Sequence, residues 1–328
     1  MNIGVVVIGR NEGERLLRCF ESFSLSADAI VYVDSGSTDG SVLLAQKMNI
    51  EVVELDTATP FSAARARNEG FAYLLKQYPA TQYIQFIDGD CTMTPGWLQQ
   101  AGKVLSENKQ YAAVLGHLQE RHPEATLYNR LCAMEWNSPA GELENYGALG
   151  GISMIRANVF QKLSGFNVKV IAGEDSELGV RMALNGYKVT KLDHPMAVHD
   201  ANMHYFSQWW KRSVRSGHAT GQRAFLNGKS AVRDCVKERK SILFWGISLP
   251  VFILLMLIPT SGLSLLLTGG YGVLGMRVYR FRRKQGDSRS DTLLYSFSIV
   301  LSKFAEGIGL LKFLFNQSKG HYEIIEYK

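Results

Sequence analysis

Tyr83-Ile84-Gln85-Phe86-Ile87 runs directly into Asp88-Gly89-Asp90. A short apolar run of this kind reads as a buried strand. Two carboxylates at its mouth are costly to desolvate unless a cation pairs with them. Hard oxygen ligands suit a divalent ion, and the intervening glycine lets the backbone approach whatever that ion carries. A second apolar run, Val31-Tyr32-Val33, also ends in acid and glycine, at Asp34-Ser35-Gly36-Ser37-Thr38-Asp39-Gly40. A third acidic pair follows in Gly173-Glu174-Asp175. This ordered trio points to metal-dependent chemistry on a nucleoside diphosphate compound.

Outward from that strand, the first half of the chain alternates apolar runs with helical stretches. Strands are predicted at 3–8, 29–33, 51–54 and 83–87, and helices at 13–24, 41–48 and 63–76. Such alternation predicts an α/β fold, a parallel sheet with helices on both faces. Ligands in these sheets bind at the carboxyl ends of strands, so Asp34 and Asp88 are expected at one crevice. Further along, a helix is predicted at 97–107, a strand at 112–118 and an irregular strand at 147–155. A helix over 175–185 ends at Gly186, a glycine suited to the C′ position. Two short strands follow at 189–192 and 196–199.

From 242 to 276 the chain is almost wholly apolar, interrupted by Pro250, Pro259 and Gly262. A spanning helix needs about 20 apolar residues, so this run is long for one crossing and short for two. Two tilted segments and a re-entrant hairpin both fit. A later stretch, 292–315, is apolar but carries Lys303, Glu306 and Lys312, the pattern of an interfacial amphipathic helix. The expected organisation is a catalytic domain over 1–225 and a helical, membrane-associated region over 226–328. The net charge is +6, with Arg277, Arg280, Arg282, Arg283 and Lys284 beside the apolar run. That placement favours membrane lipids over nucleic acid as partner and puts the cluster on the cytoplasmic side. Cys19, Cys91, Cys132 and Cys235 form no CxxC pair and read as free thiols in a reducing compartment. The first residues offer neither a basic n-region nor a small-residue cleavage site, so the first domain is expected in the cytosol.

The assembled motifs resemble those of the family 2 glycosyltransferases, whose catalytic domain has the GT-A fold. Val5-Val6-Val7-Ile8-Gly9-Arg10-Asn11-Glu12 is similar to that family's first strand and loop, with Gly9-Arg10 as a variation. Val33 to Gly40 is similar to its acid-rich second segment, with Ser35 where a second aspartate is usual. Ala66-Arg67-Asn68-Glu69-Gly70 matches its Ala-Arg-Asn-x-Gly, and Asp88-Gly89-Asp90 its metal-binding Asp-x-Asp. Glu174-Asp175 resembles the pair that holds the catalytic base. The resemblance implies a Rossmann-like nucleotide-binding sheet, Mg²⁺ or Mn²⁺ as cofactor, and inverting sugar transfer from a nucleotide-sugar donor, UDP-linked. The apolar region points to a lipid-linked or growing saccharide acceptor at the cytoplasmic face of the membrane, and the resemblance implies envelope or exopolysaccharide assembly.

Each implied role stands beside a structural alternative. Asp34 meets the nucleobase or ribose, where a carboxylate accepts from N–H or hydroxyl; the same segment also makes a turn and helix N-cap. Asn11 and Glu12 belong to the donor loop. Arg67 reaches a base or phosphate, or pairs with Glu69 at the surface. Asp90 and Asp88 hold the metal, Asp88 alternatively the ribose, and an acidic turn is the plain reading. His199 is a further metal ligand or a core histidine, with His194 and His204 as competitors. Cys91, directly after the acidic pair, touches the site or simply packs. Asp175 is the general base, while Glu174 orients the acceptor or stabilises a helix dipole. Gly151, in Gly150-Gly151-Ile152-Ser153, leaves room for sugar and acceptor, or marks a bulge. Arg212 and Arg215, after Gln208-Trp209-Trp210-Lys211, close over the diphosphate or form an interfacial belt. Two other classes compete. A nucleotidyltransferase acting on a sugar phosphate would carry a Gly-rich basic loop that Gly9-Arg10-Asn11-Glu12 lacks. An inactive membrane adaptor would have no need of Asp88, Asp90 and Asp175.

Overall fold

The computed structural model describes residues 1–143, 147 and 149–320. Ala148, within the irregular strand expected over 147–155, lies outside them. Chain contacts divide the protein into two units: residues 1–122 with 135–202, and 123–134 with 203–328.

The first unit is built on a mixed sheet of nine strands: β1 (Ile3–Gly9), β2 (Ala29–Asp34), β3 (Glu51–Glu54), β4 (Tyr83–Asp88), β5 (Cys91–Met93), β6 (Tyr111–Glu120), β7 (Gly141–Glu142), β8 (Ser153–Arg156) and β9 (Lys188–His199). Their order is β3-β2-β1-β4-β8-β6-β9-β5, with β7 on β9. The first four strands are parallel, as the strand–helix alternation predicts. β8 runs antiparallel to both β4 and β6. β6 and β9 are parallel again, so the carboxyl ends of β1, β2, β4, β6 and β9 share one edge of the sheet. β1 is buried along nearly its whole length, which is why its sequence is continuously apolar rather than alternating.

Helices α1 (Glu14–Glu21), α2 (Ser41–Lys47), α3 (Ala63–Gln77), α4 (Trp97–Glu107), α5 (Leu127–Trp136), α6 (Ala157–Lys162) and α7 (Glu174–Leu184) connect the strands. α1 buries Leu16, Cys19 and Phe20, one stripe at helical spacing. The hydroxyl of Ser62 accepts from the Arg65 N–H and starts α3. Gly70 on α3 is dictated by packing: a Cβ there would lie 2.5 Å from Val6 Cγ1 and 2.6 Å from Val33 Cγ2. The glycine thus lets α3 lie directly on β1 and β2, and it fixes where Arg67, one turn earlier, meets the sheet edge.

Where two short strands were expected at 189–192 and 196–199, β9 is a single strand. Its pairing with β6 shifts register near His117, where Gly116 has no room for a side chain between the His194 carbonyl and Trp97.

The second unit is helical: most of α5, then α8 (Phe206–Asn227), α9 (Val236–Ile242), a π-helical stretch (Leu243–Ser248), α10 (Leu249–Leu255), a 3₁₀ segment (Leu263–Thr268), α11 (Gly269–Lys284) and α12 (Arg289–Lys319). α8 and α12 meet backbone to backbone. A Cβ on Gly217 would sit 2.0 Å from the Glu306 carbonyl oxygen, and one on Gly309 1.9 Å from that of Val214. Lys303 and Glu306, two of the charges in the stretch expected to be interfacial, pair with each other at 2.7 Å. Among the described residues no helix is long and apolar enough to cross a membrane. The apolar run over 242–276 instead folds into short helical pieces, reversed at Ser261 and Gly262, both with positive φ. Of the basic cluster, Arg282 is buried, paired with Asp287 and stacked on the Tyr295 ring.

Candidate active site

The site lies along the carboxyl edge of the sheet. β1 pairs Gly9 with Asp34 on one side and Ile8 with Asp88 on the other, so the two acids flank one strand end, as the alternation predicts. Asp34 is buried. Its carboxylate accepts from the Tyr32 hydroxyl at 2.8 Å and from the Gly36 and Ser37 N–H groups at 2.9 and 2.8 Å. Burial, and then the Asp34 charge, push the Tyr32 hydroxyl well above its ordinary pKa. Asn11, at φ 57, ties the first loop to the second: its N–H donates to Ser37 Oγ and its Oδ1 accepts from the Thr38 N–H. Asp39 accepts from the Gly13 N–H at 2.9 Å, completing the seam. Glu12 pairs with Arg15 at 2.8 Å.

Arg67 is the hub of the neighbouring part. Its guanidinium is buried, with Nη2 at 2.8 Å from Asp88 Oδ1 and Nη1 at 2.6 Å from Glu174 Oε1. The Phe166 ring lies beneath it, 5.6 Å from Cζ. Burial works against the charged form, but Asp88, Glu174 and Asp175 outweigh it and raise the Arg67 pKa above its ordinary value. Gly151 gives this group its room, since a Cβ there would stand 2.5 Å from Nη2. Glu174 and Asp175 open α7 behind Gly173, whose φ of 75 makes the turn. Both acids thus sit in the first turn of a helix, at the positive end of its dipole. The Ser176 N–H donates to Asp175 Oδ1 at 2.6 Å.

The other half of the Asp-x-Asp segment faces β9. Asp90 is buried, and its Oδ1 lies 3.2 Å from His199 Nε2. Cys91 pairs in register with His199 across β5 and β9, and its thiol lies 3.5 Å from Asp90 Oδ1. These three residues offer ligand atoms within 4.8 Å of one another. The other ring nitrogen of His199, Nδ1, is buried without a hydrogen-bond partner among the described residues. A carboxylate, an imidazole and a thiol converging on one point are a donor set fit for a divalent cation of borderline character.

Of the residues singled out in the sequence, the structure gathers Asn11, Glu12, Asp34, Arg67, Asp88, Asp90, Gly151, Glu174, Asp175 and His199 in the first unit. Arg67 pairs with Asp88 and Glu174, while Arg65 takes Glu69. Arg212 and Arg215 lie on α8, in the second unit. His194 bonds its own neighbour's carbonyl, and His204 lies in the second unit.

Sequence reading passed over two residues. Glu120 ends β6 opposite His199 and accepts from the Ala201 and His122 N–H groups at 3.1 and 3.2 Å. Burial raises its pKa, against the pull of those bonds and of His199. It carried the same signal as Asp88, an acid closing an apolar strand. Trp136, whose ring lies 4.7 Å from that of His199, carried none.

The sequence model of glycosyl transferase family 2 matches residues 4–163. The model described as the N-terminal domain of galactosyltransferase matches residues 132–207. Among solved structures, the mannosyltransferase PcManGT from Pyrobaculum calidifontis, in complex with GDP-Man and Mn²⁺, is similar with a TM-score of 0.60. It is 15% identical, and the match covers 94% of this chain and 87% of that one. S. aureus TarS 1-349 in complex with UDP-GlcNAc is similar with a TM-score of 0.55, at 16% identity over 100% and 95% of the two chains. Against a longer TarS chain, the match covers 48% of its length. These structures share the fold. With the sheet order, the acidic edge and the match over residues 4–163 together, the chain carries a GT-A catalytic domain of glycosyl transferase family 2 and is a glycosyltransferase.

Proposed function

We propose that the protein is an inverting, metal-dependent glycosyltransferase. It moves a sugar from a UDP-linked donor to a lipid-linked or saccharide acceptor at the cytoplasmic face of a membrane, in envelope or exopolysaccharide assembly. The observation that carries this reading is Arg67, which ties Asp88 of the Asp-x-Asp segment to Glu174, the immediate neighbour of Asp175. Nucleotide end and base end are thereby held in one crevice. Solved structures of the same fold holding UDP-GlcNAc and GDP-Man support a nucleotide-sugar donor.

Asp175 is the general base. Its carboxylate, in the first turn of α7, takes the proton of the acceptor hydroxyl as that oxygen attacks the anomeric carbon. One base with no covalent intermediate gives inversion. Asp34 shapes the loop that receives the nucleoside, with Asn11 and Glu12 beside it, and Glu174 fixes the helix start that presents the base. Asp90 and His199, with Cys91 beside them, would hold the divalent ion, Mg²⁺ or Mn²⁺, the imidazole favouring Mn²⁺, and Asp88 would contact the ion or the ribose. When bound, such an ion stabilises the charge that builds on the departing diphosphate.

The membrane reading rests on the second unit, whose apolar side chains stand exposed along 244–281.

Purified protein should be tested against UDP-, GDP- and dTDP-sugars with Mn²⁺, with EDTA and as Asp90→Ala, scoring released nucleotide and product anomer. Metal-dependent release of one nucleoside diphosphate, lost in Asp90→Ala, with inversion at the sugar, is expected. Retention of configuration, or full activity in EDTA, would overturn the mechanism.

A further inference from the structure

The second unit carries an apolar surface that the glycosyl-transfer reading does not use. From Ser241 to Met276 the chain holds no charged residue and no histidine. Its outer side chains are left in the open: Ile258 is 89% exposed and Leu266 76%. The segment is nonetheless built rather than loose. α10 and the 3₁₀ segment are joined where Ser264 Oγ donates to the Ile253 carbonyl at 2.9 Å. At the base, the Tyr271 hydroxyl donates to the Trp245 carbonyl at 2.6 Å, with the two rings 5.6 Å apart. The result is a hairpin with a hydrophobic tip and an aromatic foot.

Cations stand at both of its flanks. Lys237 and Lys240 precede it, and Arg277, Arg280, Arg283 and Lys284 follow it, outside the core. A water-facing hairpin would bury its leucines, and a protein partner has no need of cations on both flanks. Apolar tip, aromatic foot and flanking cations in that order match hydrocarbon, interface and anionic headgroups.

Length then decides how deep the hairpin goes. Trp245 to Leu255 is a single helical arm, and its run of about eleven residues rises about 16 Å at roughly 1.5 Å each. That is roughly half of a hydrocarbon core about 30 Å thick. Accordingly, among the described residues, no helix is long and apolar enough to cross.

We propose that residues 244–276 form a wedge that enters one leaflet of an anionic bilayer and does not cross it, so that both basic flanks return to the same face. The proposal rests on the reading of this protein as membrane-associated and specifies how it attaches.

The test uses the full chain and vesicles of phosphatidylcholine with or without one-third phosphatidylglycerol. Wild-type protein should float with the anionic vesicles and bind the uncharged ones about 10-fold more weakly. Leu266→Asp should bind about 100-fold more weakly, while its circular dichroism stays that of wild type. Depth is read by Ser261→Cys at the tip, in a chain whose partly exposed thiol is removed by Cys235→Ser. A membrane-impermeant maleimide should label this double variant neither from outside nor from within the vesicle lumen, and should label it fully in detergent.

Labelling from the lumen would show a crossing hairpin, and labelling from outside an uninserted one; either overturns the wedge while leaving membrane attachment intact. Wild-type protein that floats with neither vesicle would sink the membrane reading as a whole. If Leu266→Asp then converts a dimer to a monomer, the surface belongs to a second copy of the chain.

Discussion

Removing the guanidinium at the centre of the site is the most direct test of how the site is held together. Arg67→Met keeps a long apolar stem and deletes the charge. The two partners left behind differ in what water can do for them: the Asp88 side chain is 36% exposed, that of Glu174 only 9%. Solvent takes over the Asp88 half, whereas Glu174 becomes a buried carboxylate without its counter-charge. Breaking a buried pair from one side costs about 3–5 kcal/mol, and with one half screened the lower end, about 3 kcal/mol, is expected. Hydrogen exchange of β4 amides reads this unit alone, and that cost accelerates their opening by about two powers of ten. The double variant Arg67→Met/Glu174→Gln should recover much of the loss, because the stranded charge is gone. Additive costs in the double variant, or an acceleration under about tenfold in Arg67→Met, would show that the pair does not hold the crevice.

Three further outcomes follow from the same geometry. Asp175→Asn should lower transfer by about 10²–10⁴-fold while donor affinity, read by titration calorimetry, stays unchanged. Gly151→Ala drives a methyl group to 2.5 Å from Arg67 Nη2 and should cost about 1–3 kcal/mol by β4 exchange; in the Arg67→Met background the added cost should vanish. The Tyr32 hydroxyl is held above its ordinary pKa by burial and by Asp34. The folded chain therefore keeps this proton when the unfolded chain, near pH 10, loses it, and stability falls by about 1.4 kcal/mol per pH unit above that point. Urea midpoints of Tyr32→Phe should accordingly decline less steeply than wild type above about pH 10, and parallel curves would count against the assignment.

What the sequence disclosed and what it concealed divide along physical lines. Strands that are buried on both faces write themselves as apolar runs, so β1, β2 and β4 were legible, and with them the edge where Asp34 and Asp88 stand. The antiparallel β8 was legible as extended chain but not as the neighbour of β4, because pairing partners leave no local mark. β9 read as two strands since Pro195 and its surroundings break the alternation; the structure absorbs that break as a register shift against β6. Arg67 was noticed for its motif, yet its partners lie 21 and 107 residues away, a distance no local pattern spans. Glu120 lies two residues beyond the strand expected at 112–118, which the structure extends to Glu120 itself.

The charges of the crevice carry one consequence beyond the fold. Asp88, Glu174 and Asp175 act together on the single guanidinium of Arg67. Beneath them the buried Cys19 thiol is pushed well above its usual pKa, first by burial and then by the negative charges of Asp90, Asp88 and Glu12. Acids thus outnumber the buried cation at their centre, and both donor nitrogens that Arg67 aims at the site are occupied by Asp88 and Glu174. A diphosphate brought alone to such an edge meets like charge in a site partly withdrawn from water, where repulsion is weakly screened. The donor should therefore need the divalent ion to bind at all, not merely to react. Calorimetric titration of UDP into the protein in EDTA should show no binding, and the same titration with Mn²⁺ should restore it. Asp90→Asn, which removes one negative charge and one ligand oxygen together, separates the two effects: it should weaken Mn²⁺ binding and ease the repulsion in EDTA. Equal UDP affinity with and without the ion in the wild-type protein would refute the charge argument and leave Arg67 as a donor ligand in its own right.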